Sequence, residues 1–100
     1  MIKVNISNDL KHLKIQGHAK YAEYGKDIVC AAVSSIVITS VNACITLSND
    51  SISYKENDGY VEINVLKDDE TTIKLINNMI NMLTELAKQY KKNITIIKED

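Results

Sequence analysis

The chain has 100 residues, of which 45% are hydrophobic and 25% are charged, and its formal net charge is −1. These proportions exclude a disordered chain and predict a single globular domain over residues 1–100 with one sizeable core. All 12 basic residues are lysine, and the chain has no arginine, tryptophan or phenylalanine. That composition argues against a nucleic-acid partner, because arginine forks and large aromatic rings supply much of the contact to bases.

The N-terminal part of the chain alternates apolar and polar residues with the period of a β-strand. Residues 2–6 and 12–16 show this alternation, and Ser7-Asn8-Asp9 between them supplies turn residues. The pattern predicts two strands joined as a hairpin. Residues 17–26 then break the pattern and form a loop of about ten residues, which is longer than most connections in a compact domain and hints at function.

Residues 28–47 are predicted to form the first helix, with Asp27 as its N-cap. Many of these residues are β-branched, so burial rather than intrinsic propensity must hold the helix. Residues 28–49 carry no formal charge, which raises the question of a membrane span, but seven serine, threonine and asparagine side chains between residues 34 and 48 interrupt the apolar run. We therefore predict no membrane segment, and instead a core helix covered by a sheet and by a partner subunit.

The C-terminal half repeats the order of a hairpin followed by a helix. Residues 52–55 and 60–65 read as strands around Asn57-Asp58-Gly59, a strong turn signal. Acidic residues at 68–70 favour a helix start, and apolar residues then recur at helical spacing from 73 to 90. Residues 93–98 read as a last strand. The order ββαββαβ predicts an α+β fold: a mostly antiparallel five-stranded sheet with two helices on one face.

The two cysteines indicate a reduced, cytoplasmic protein. Cys30 and Cys44 fall on one predicted helix about four turns, or roughly 20 Å, apart, which is too far for a disulfide. Two cysteines and two histidines also match no zinc spacing, so we predict no metal and no cofactor. The N-terminal residues alternate like a strand and lack the charged and apolar regions of a signal peptide.

Cys30 and His18 are the candidate catalytic pair. Cys30 lies in the first turn of the predicted helix, where unpaired N–H groups favour a thiolate, and His18 lies on the preceding loop, where its imidazole can take the thiol proton. Each residue also has an ordinary explanation, Cys30 as a small buried apolar residue and His18 as a surface histidine. Cys44, deeper in the helix, and His12, on a solvent-facing strand position, fit those ordinary explanations better.

Several residues around this pair are candidates for supporting roles. Asp27 and Ser34 compete for the role of orienting group; we favour helix capping for Asp27 and support of the site for Ser34, one turn after Cys30. The loop tyrosines either line an apolar substrate pocket or pack the loop down. The predicted substrate loop thus contains Gly17, Tyr21, Tyr24 and Gly25.

A family resemblance rests on these same residues. The segment 17–34 contains Gly-His-Ala at 17–19 and Asp-Ile-Val-Cys-Ala-Ala at 27–32, together with Gly25 and Ser34. It resembles the signature of the ribosomal-processing cysteine protease family, Prp, and the length and element order are similar as well. The resemblance implies a homodimeric endopeptidase with His18 and Cys30 as its catalytic pair and a mobile loop between them.

The resemblance also implies a substrate. The enzyme would remove the N-terminal extension of a bacterial large-subunit ribosomal protein, the twenty-seventh, before assembly, and we expect N–H groups at the helix start to hold the oxyanion. The alternative from another class is a non-enzymatic, ribosome-associated binding module with Cys30 in its core. A thiol redox enzyme ranks third, because no second cysteine lies near Cys30 in sequence.

Overall fold

The computed structural model describes residues 1–19, 21–23 and 27–99. The roles predicted for Tyr24 and Gly25 fall outside these residues. The elements follow the predicted order: β1 (Ile2–Ile6), β2 (His12–Gln16), α1 (Ile28–Leu47), β3 (Ile52–Asn57), β4 (Tyr60–Val65), α2 (Glu70–Gln89) and β5 (Ile94–Lys98).

The five strands form one mixed sheet in the order β3-β4-β2-β1-β5. The hairpins β1–β2 and β3–β4 are antiparallel, and they are joined by an antiparallel pairing of β2 with β4 in which Gln16 lies opposite Tyr60. The last strand, β5, pairs in parallel with β1. The sheet is therefore mostly antiparallel, as predicted, and the β2–β4 pairing brings the loop after β2 beside the β3–β4 turn.

One face of the sheet carries the core. Alternate residues of the paired strands, such as Val4, Ile15 and Ile63, are buried and lie beneath the helices, whereas their polar neighbours occupy the other face. From α2, Ile76, Met79 and Leu83 complete this core. Burial of one face only confirms the prediction of two helices on one side of the sheet.

Helix α1 begins and ends where the sequence predicts, and the rest of the chain covers one side of it. Its buried residues form a single stripe at a spacing of three and four: Val29, Val33, Val37, Val41 and Cys44. Among the described residues, α1 is the one helix that is long and apolar enough to cross a membrane, by length and composition only. The buried stripe fits a core helix, while the exposed side chains of Ile28, Ile38 and Leu47 leave part of its surface uncovered.

Strand β3 is two residues longer than the sequence predicted. The ladder continues through Glu56 opposite Val61 and Asn57 opposite Tyr60, so the turn itself consists only of Asp58 and Gly59. Of these two residues, only Gly59 has a positive φ, at 68°. The shortened turn places Gly59 at the edge of the site described below.

Candidate active site

A cleft of about 230 Å³ lies between the start of α1, the end of β2 and the β3–β4 turn. Cys30, His18, Ser34 and Gly17 all line it. The fold thus brings the predicted pair together at one concave surface, although His18 and Cys30 belong to different elements.

Cys30 is half-buried in the first turn of α1, and its sulfur accepts a hydrogen bond. The donor is the backbone N–H of Ala19, with the nitrogen 3.3 Å from Sγ. The helix N–H groups do not serve as predicted: those of Val29 and Cys30 both donate to Asp27 Oδ1, at 2.9 and 3.0 Å. The expectation that these two groups are unpaired is therefore wrong, because the N-cap already occupies them, and their service to the oxyanion stays a prediction that would require Asp27 to release them.

Asp27 caps the helix and also fastens the preceding loop. Its second oxygen, Oδ2, accepts from the N–H groups of Tyr21 and Ala22, at 2.9 and 3.4 Å. Desolvation alone would raise the pKa of Asp27, but the hydrogen bonds from the N–H groups of Cys30, Tyr21, Ala22 and Val29 outweigh it and hold this pKa below its usual value of 3.8. The ionised carboxylate is thus the form that this loop and helix bind.

The lowered pKa predicts how Asp27 affects stability as the pH changes. A carboxyl group with a depressed pKa in the folded state stabilises that state fully above the unfolded pKa, and this contribution is lost as the pH falls through the folded pKa. The amide in the variant Asp27→Asn can still cap the helix but does not titrate. We expect the wild type to melt at the higher temperature near pH 7, with the gap between the two proteins closing below about pH 4. Thermal unfolding followed by circular dichroism checks this; a gap that stays constant down to about pH 2.5 would contradict it.

His18 is exposed and its imidazole lies directly against Gly59. A Cβ atom built on Gly59 would come 2.9 Å from His18 Nε2 and 3.3 Å from Cε1. Among the described residues, none makes a hydrogen bond to the imidazole. The imidazole ring of His18 can occupy this position because Gly59 has no side chain.

Gly17 sets the backbone that leads into His18. It has a φ of 99°, which favours glycine, and its N–H donates to the carbonyl oxygen of Gly59 at 2.9 Å. A side chain there would overlap the carbonyl oxygen of Met1. The end of β2 is thus fixed against both the β3–β4 turn and the start of the chain.

The β3–β4 hairpin supplies a wall of the cleft that the sequence analysis did not assign to the site. Tyr54 and Glu56 line it, and the Tyr54 hydroxyl donates to Glu56 Oε2 at 2.5 Å. Burial, followed by this hydrogen bond and the charge of Glu56, raises the pKa of Tyr54 to about 12. The wall therefore presents a protonated phenol beside a carboxylate. The sequence identifies Tyr54 only as a strand residue. Its place beside the site depends on the pairing of β4 with β2, which no local pattern indicates.

The other predicted site residues divide between the cleft and its surroundings. Ser34 lines the cleft but makes no hydrogen bond with any residue that the structure describes. Tyr21 lies outside the cleft lining and packs edge-to-face on Tyr90, with the ring centroids 5.5 Å apart. Of the two alternatives for Tyr21, its position fits packing of the loop.

Cys44 and His12, the cysteine and histidine not predicted to be catalytic, lie away from the cleft. Cys44 is fully buried, and burial, with a smaller effect of Asp69, raises the pKa of its thiol. His12 is exposed on the polar sheet face, with Nδ1 2.6 Å from Asn64 Oδ1. Both cysteines are free, and within the described ranges no three metal-ligating side chains cluster.

A thiol and an imidazole on one open cleft, carried by a helix start and a neighbouring loop, are the groups of a cysteine protease, and that is the class of this protein. The family model of cysteine protease Prp matches residues 1–95, and the chain belongs to this family. Membership favours the enzyme over the binding module and over the redox enzyme.

Relatives with known names agree with this assignment. The ribosomal processing cysteine protease Prp of Staphylococcus aureus is 34% identical over 98 residues, covering 95% of this chain and 92% of the relative. That of Bacillus subtilis is 36% identical over 90 residues, covering 83% and 80% of the two chains.

Solved structures share the whole fold. A crystal structure of the essential ribosomal processing protease Prp from S. aureus, in complex with a covalently linked product peptide, superposes with a TM-score of 0.92 at 29% identity, covering 99% of this chain and 100% of that one. A second S. aureus structure, in complex with a substrate peptide, gives a TM-score of 0.85 at 28% identity over the same shares of the chains.

Proposed function

We propose that this protease removes the N-terminal extension of a bacterial large-subunit ribosomal protein, the twenty-seventh, before ribosome assembly. The observation that carries the proposal is the shared cleft: the half-buried Cys30 and the exposed His18 line one open surface beside the β3–β4 hairpin. The S. aureus relatives, which hold peptides and are described as ribosomal processing proteases, support the choice of substrate.

In the proposed reaction, Cys30 is the nucleophile and His18 is the general acid and base. His18 takes the thiol proton, and the sulfur attacks the scissile carbonyl carbon to form a tetrahedral oxyanion. The intermediate collapses as the C–N bond breaks and His18 protonates the leaving amine, which leaves a thioester on Cys30. Water, deprotonated by His18, then attacks the thioester and releases the new carboxylate and the thiol.

The oxyanion needs a donor other than the first-turn N–H groups already bonded to Asp27. The Ala19 N–H is suitably placed, because it contacts Sγ and an oxygen on the carbon bound to that sulfur would lie within its reach. Asp27 supports this arrangement by joining the loop to the helix, and we assign a supporting role to Ser34 on the cleft wall.

We also propose a homodimer in the cytoplasm. The uncharged helix α1 leaves Ile45 and Leu47 exposed outside the cleft lining, and Met82 of α2 is exposed as well. A second copy covering these apolar side chains would account for a helix surface that the sheet does not cover. The cytoplasmic location follows from the proposed ribosomal substrate and from the two free cysteines.

The dimer has its own test. We expect the wild type to sediment as a dimer and the variant Ile45→Lys as a monomer, because Ile45 lies on α1 outside the cleft lining and a lysine there places a charge on the proposed interface. Leu66→Lys, at an exposed apolar position beyond β4, is the matched control and should remain dimeric. Sedimentation velocity at micromolar concentration is the measurement; a monomeric wild type would refute the dimer.

Mass spectrometry of a junction peptide tests the proposed activity. The reduced protein is incubated with a peptide that spans the extension junction of the host's ribosomal protein, and a scrambled peptide of the same composition is the control. We expect one cut at the junction and none in the scrambled peptide. A folded, reduced wild type that leaves the junction peptide intact would overturn the assignment of this substrate.

A further inference from the structure

Ala19, the residue after His18, is held from both sides. Its N–H donates to Cys30 Sγ, and its carbonyl oxygen accepts a hydrogen bond of 2.9 Å from the side-chain amide of Asn93, 74 residues away in the chain. Ala19 as a whole is 2% exposed, so the residue is also packed in place. The backbone torsions beside His18 are thereby fixed by one contact with the sulfur and one contact with Asn93.

Asn93 is itself a fixed point of the fold. Its backbone N–H donates to the carbonyl oxygen of Tyr90 at 2.9 Å, and its carbonyl oxygen accepts from the N–H of Ile2 at 2.8 Å. It thus joins the end of α2 to the start of β1, immediately before β5. Because the Asn93 backbone is held at both its N–H and its carbonyl oxygen, its short side chain presents the amide donor to the loop in a fixed position.

We propose that Asn93 is a positioning residue for catalysis, which aims the Ala19 N–H at the sulfur of Cys30 and places His18 in the cleft. The inference rests on the proposed roles of Cys30 and His18 and deepens them. A donor on the sulfur favours the thiolate, because hydrogen bonds to a charged acceptor are the stronger ones. The same N–H can turn to the oxyanion as the sulfur attacks, so losing its alignment would slow the chemical step.

The test removes the amide donor of Asn93 without adding a charge. Asn93→Leu has nearly the same shape and cannot donate to Ala19. Asn64→Leu is the matched control: Asn64 is also half-buried and its amide also donates, to Ser53 Oγ at 3.3 Å, but on the other face of the sheet. Asn93→Ala, which also removes the donor without adding a charge, replaces the leucine variant if that variant does not fold.

Three measurements separate positioning from simple stabilisation. Alkylation of Cys30 by iodoacetamide, mapped by mass spectrometry and followed against pH, reports the thiolate. Cleavage of the junction peptide gives kcat and KM, and thermal melting gives stability. For Asn93→Leu we expect the midpoint of alkylation to move to higher pH and kcat to fall roughly tenfold, with KM within about twofold of the wild type. Asn64→Leu should alter only the melting temperature.

The outcomes distinguish this inference from the proposed function. If Asn93→Leu melts at a lower temperature but keeps the alkylation profile and kcat of the wild type, Asn93 is only structural and the inference is wrong. If the wild type itself leaves the junction peptide uncut and Cys30 reacts no faster than Cys30 in denatured protein, the proposed function fails, and the inference fails with it.

Discussion

Cys30→Ala should abolish cleavage of the junction peptide, and His18→Asn should lower kcat roughly 10²- to 10⁴-fold. The alanine variant has no sulfur to form the thioester, whereas the asparagine variant keeps the nucleophile and loses only the proton transfer. Because the two side chains act in the same step, the double variant should be no slower than Cys30→Ala alone. Single-turnover cleavage followed by mass spectrometry is the measurement.

Cys44→Ala is the matched control for the cysteine variant. Cys44 lies on the same helix but is fully buried and does not line the cleft. The control should cleave at the wild-type rate and melt at a somewhat lower temperature, since a small buried group is lost. Activity remaining in Cys30→Ala, or activity lost in Cys44→Ala alone, would overturn the assignment of the nucleophile.

Gly17→Ala should destabilise the folded protein by roughly 2–4 kcal/mol. The φ of 99° strains any residue with a Cβ, and here that Cβ would also overlap the Met1 carbonyl oxygen, a backbone atom that cannot turn aside. For a domain of this size, the melting temperature should fall by roughly 10 °C or more. Thermal unfolding by calorimetry checks this, and a shift of less than about 2 °C would contradict it.

Gly59→Ala provides the contrast to Gly17→Ala. Its φ of 68° carries a similar backbone penalty, but its Cβ would meet a movable imidazole rather than a backbone atom. We expect a smaller loss of stability and a larger loss of kcat, on the order of tenfold or more, because His18 must move to make room. Equal kcat for wild type and Gly59→Ala would show that the contact with His18 has no effect on catalysis.

The elements of the fold were predictable from local patterns. Alternation identified the strands, Asp27 and the acids before Glu70 marked the helix starts, and Asp58-Gly59 marked the turn, so the order ββαββαβ and the one-sided packing follow from residues close together in sequence. The segment 17–34 also contained enough local chemistry to select Cys30 and His18 as candidates, and the structure places both at one cleft.

The contacts that complete the cleft were not predictable, because they depend on which strands become neighbours. Gly17 meets Gly59 only because β2 pairs with β4, and Asn93 reaches Ala19 only because β5 pairs with β1. The same alternation of apolar and polar residues would also allow either hairpin to pair through its other strand. The pairing of the Val29 and Cys30 N–H groups with Asp27, in contrast, follows from the role of Asp27 as N-cap and is predictable from the sequence.

The parallel pairing of the first strand with the last has a consequence for synthesis of the enzyme. While a ribosome is still making the chain, β1 lacks its outer neighbour, and the Ala19 carbonyl lacks its partner until Asn93 has emerged. Long-range pairings of this kind form slowly, because the chain must close a large loop first. A nascent chain therefore carries Cys30 and His18 before Asn93 is available to hold the loop between them, and full proteolytic activity should begin only after β5 has been made and has paired with β1.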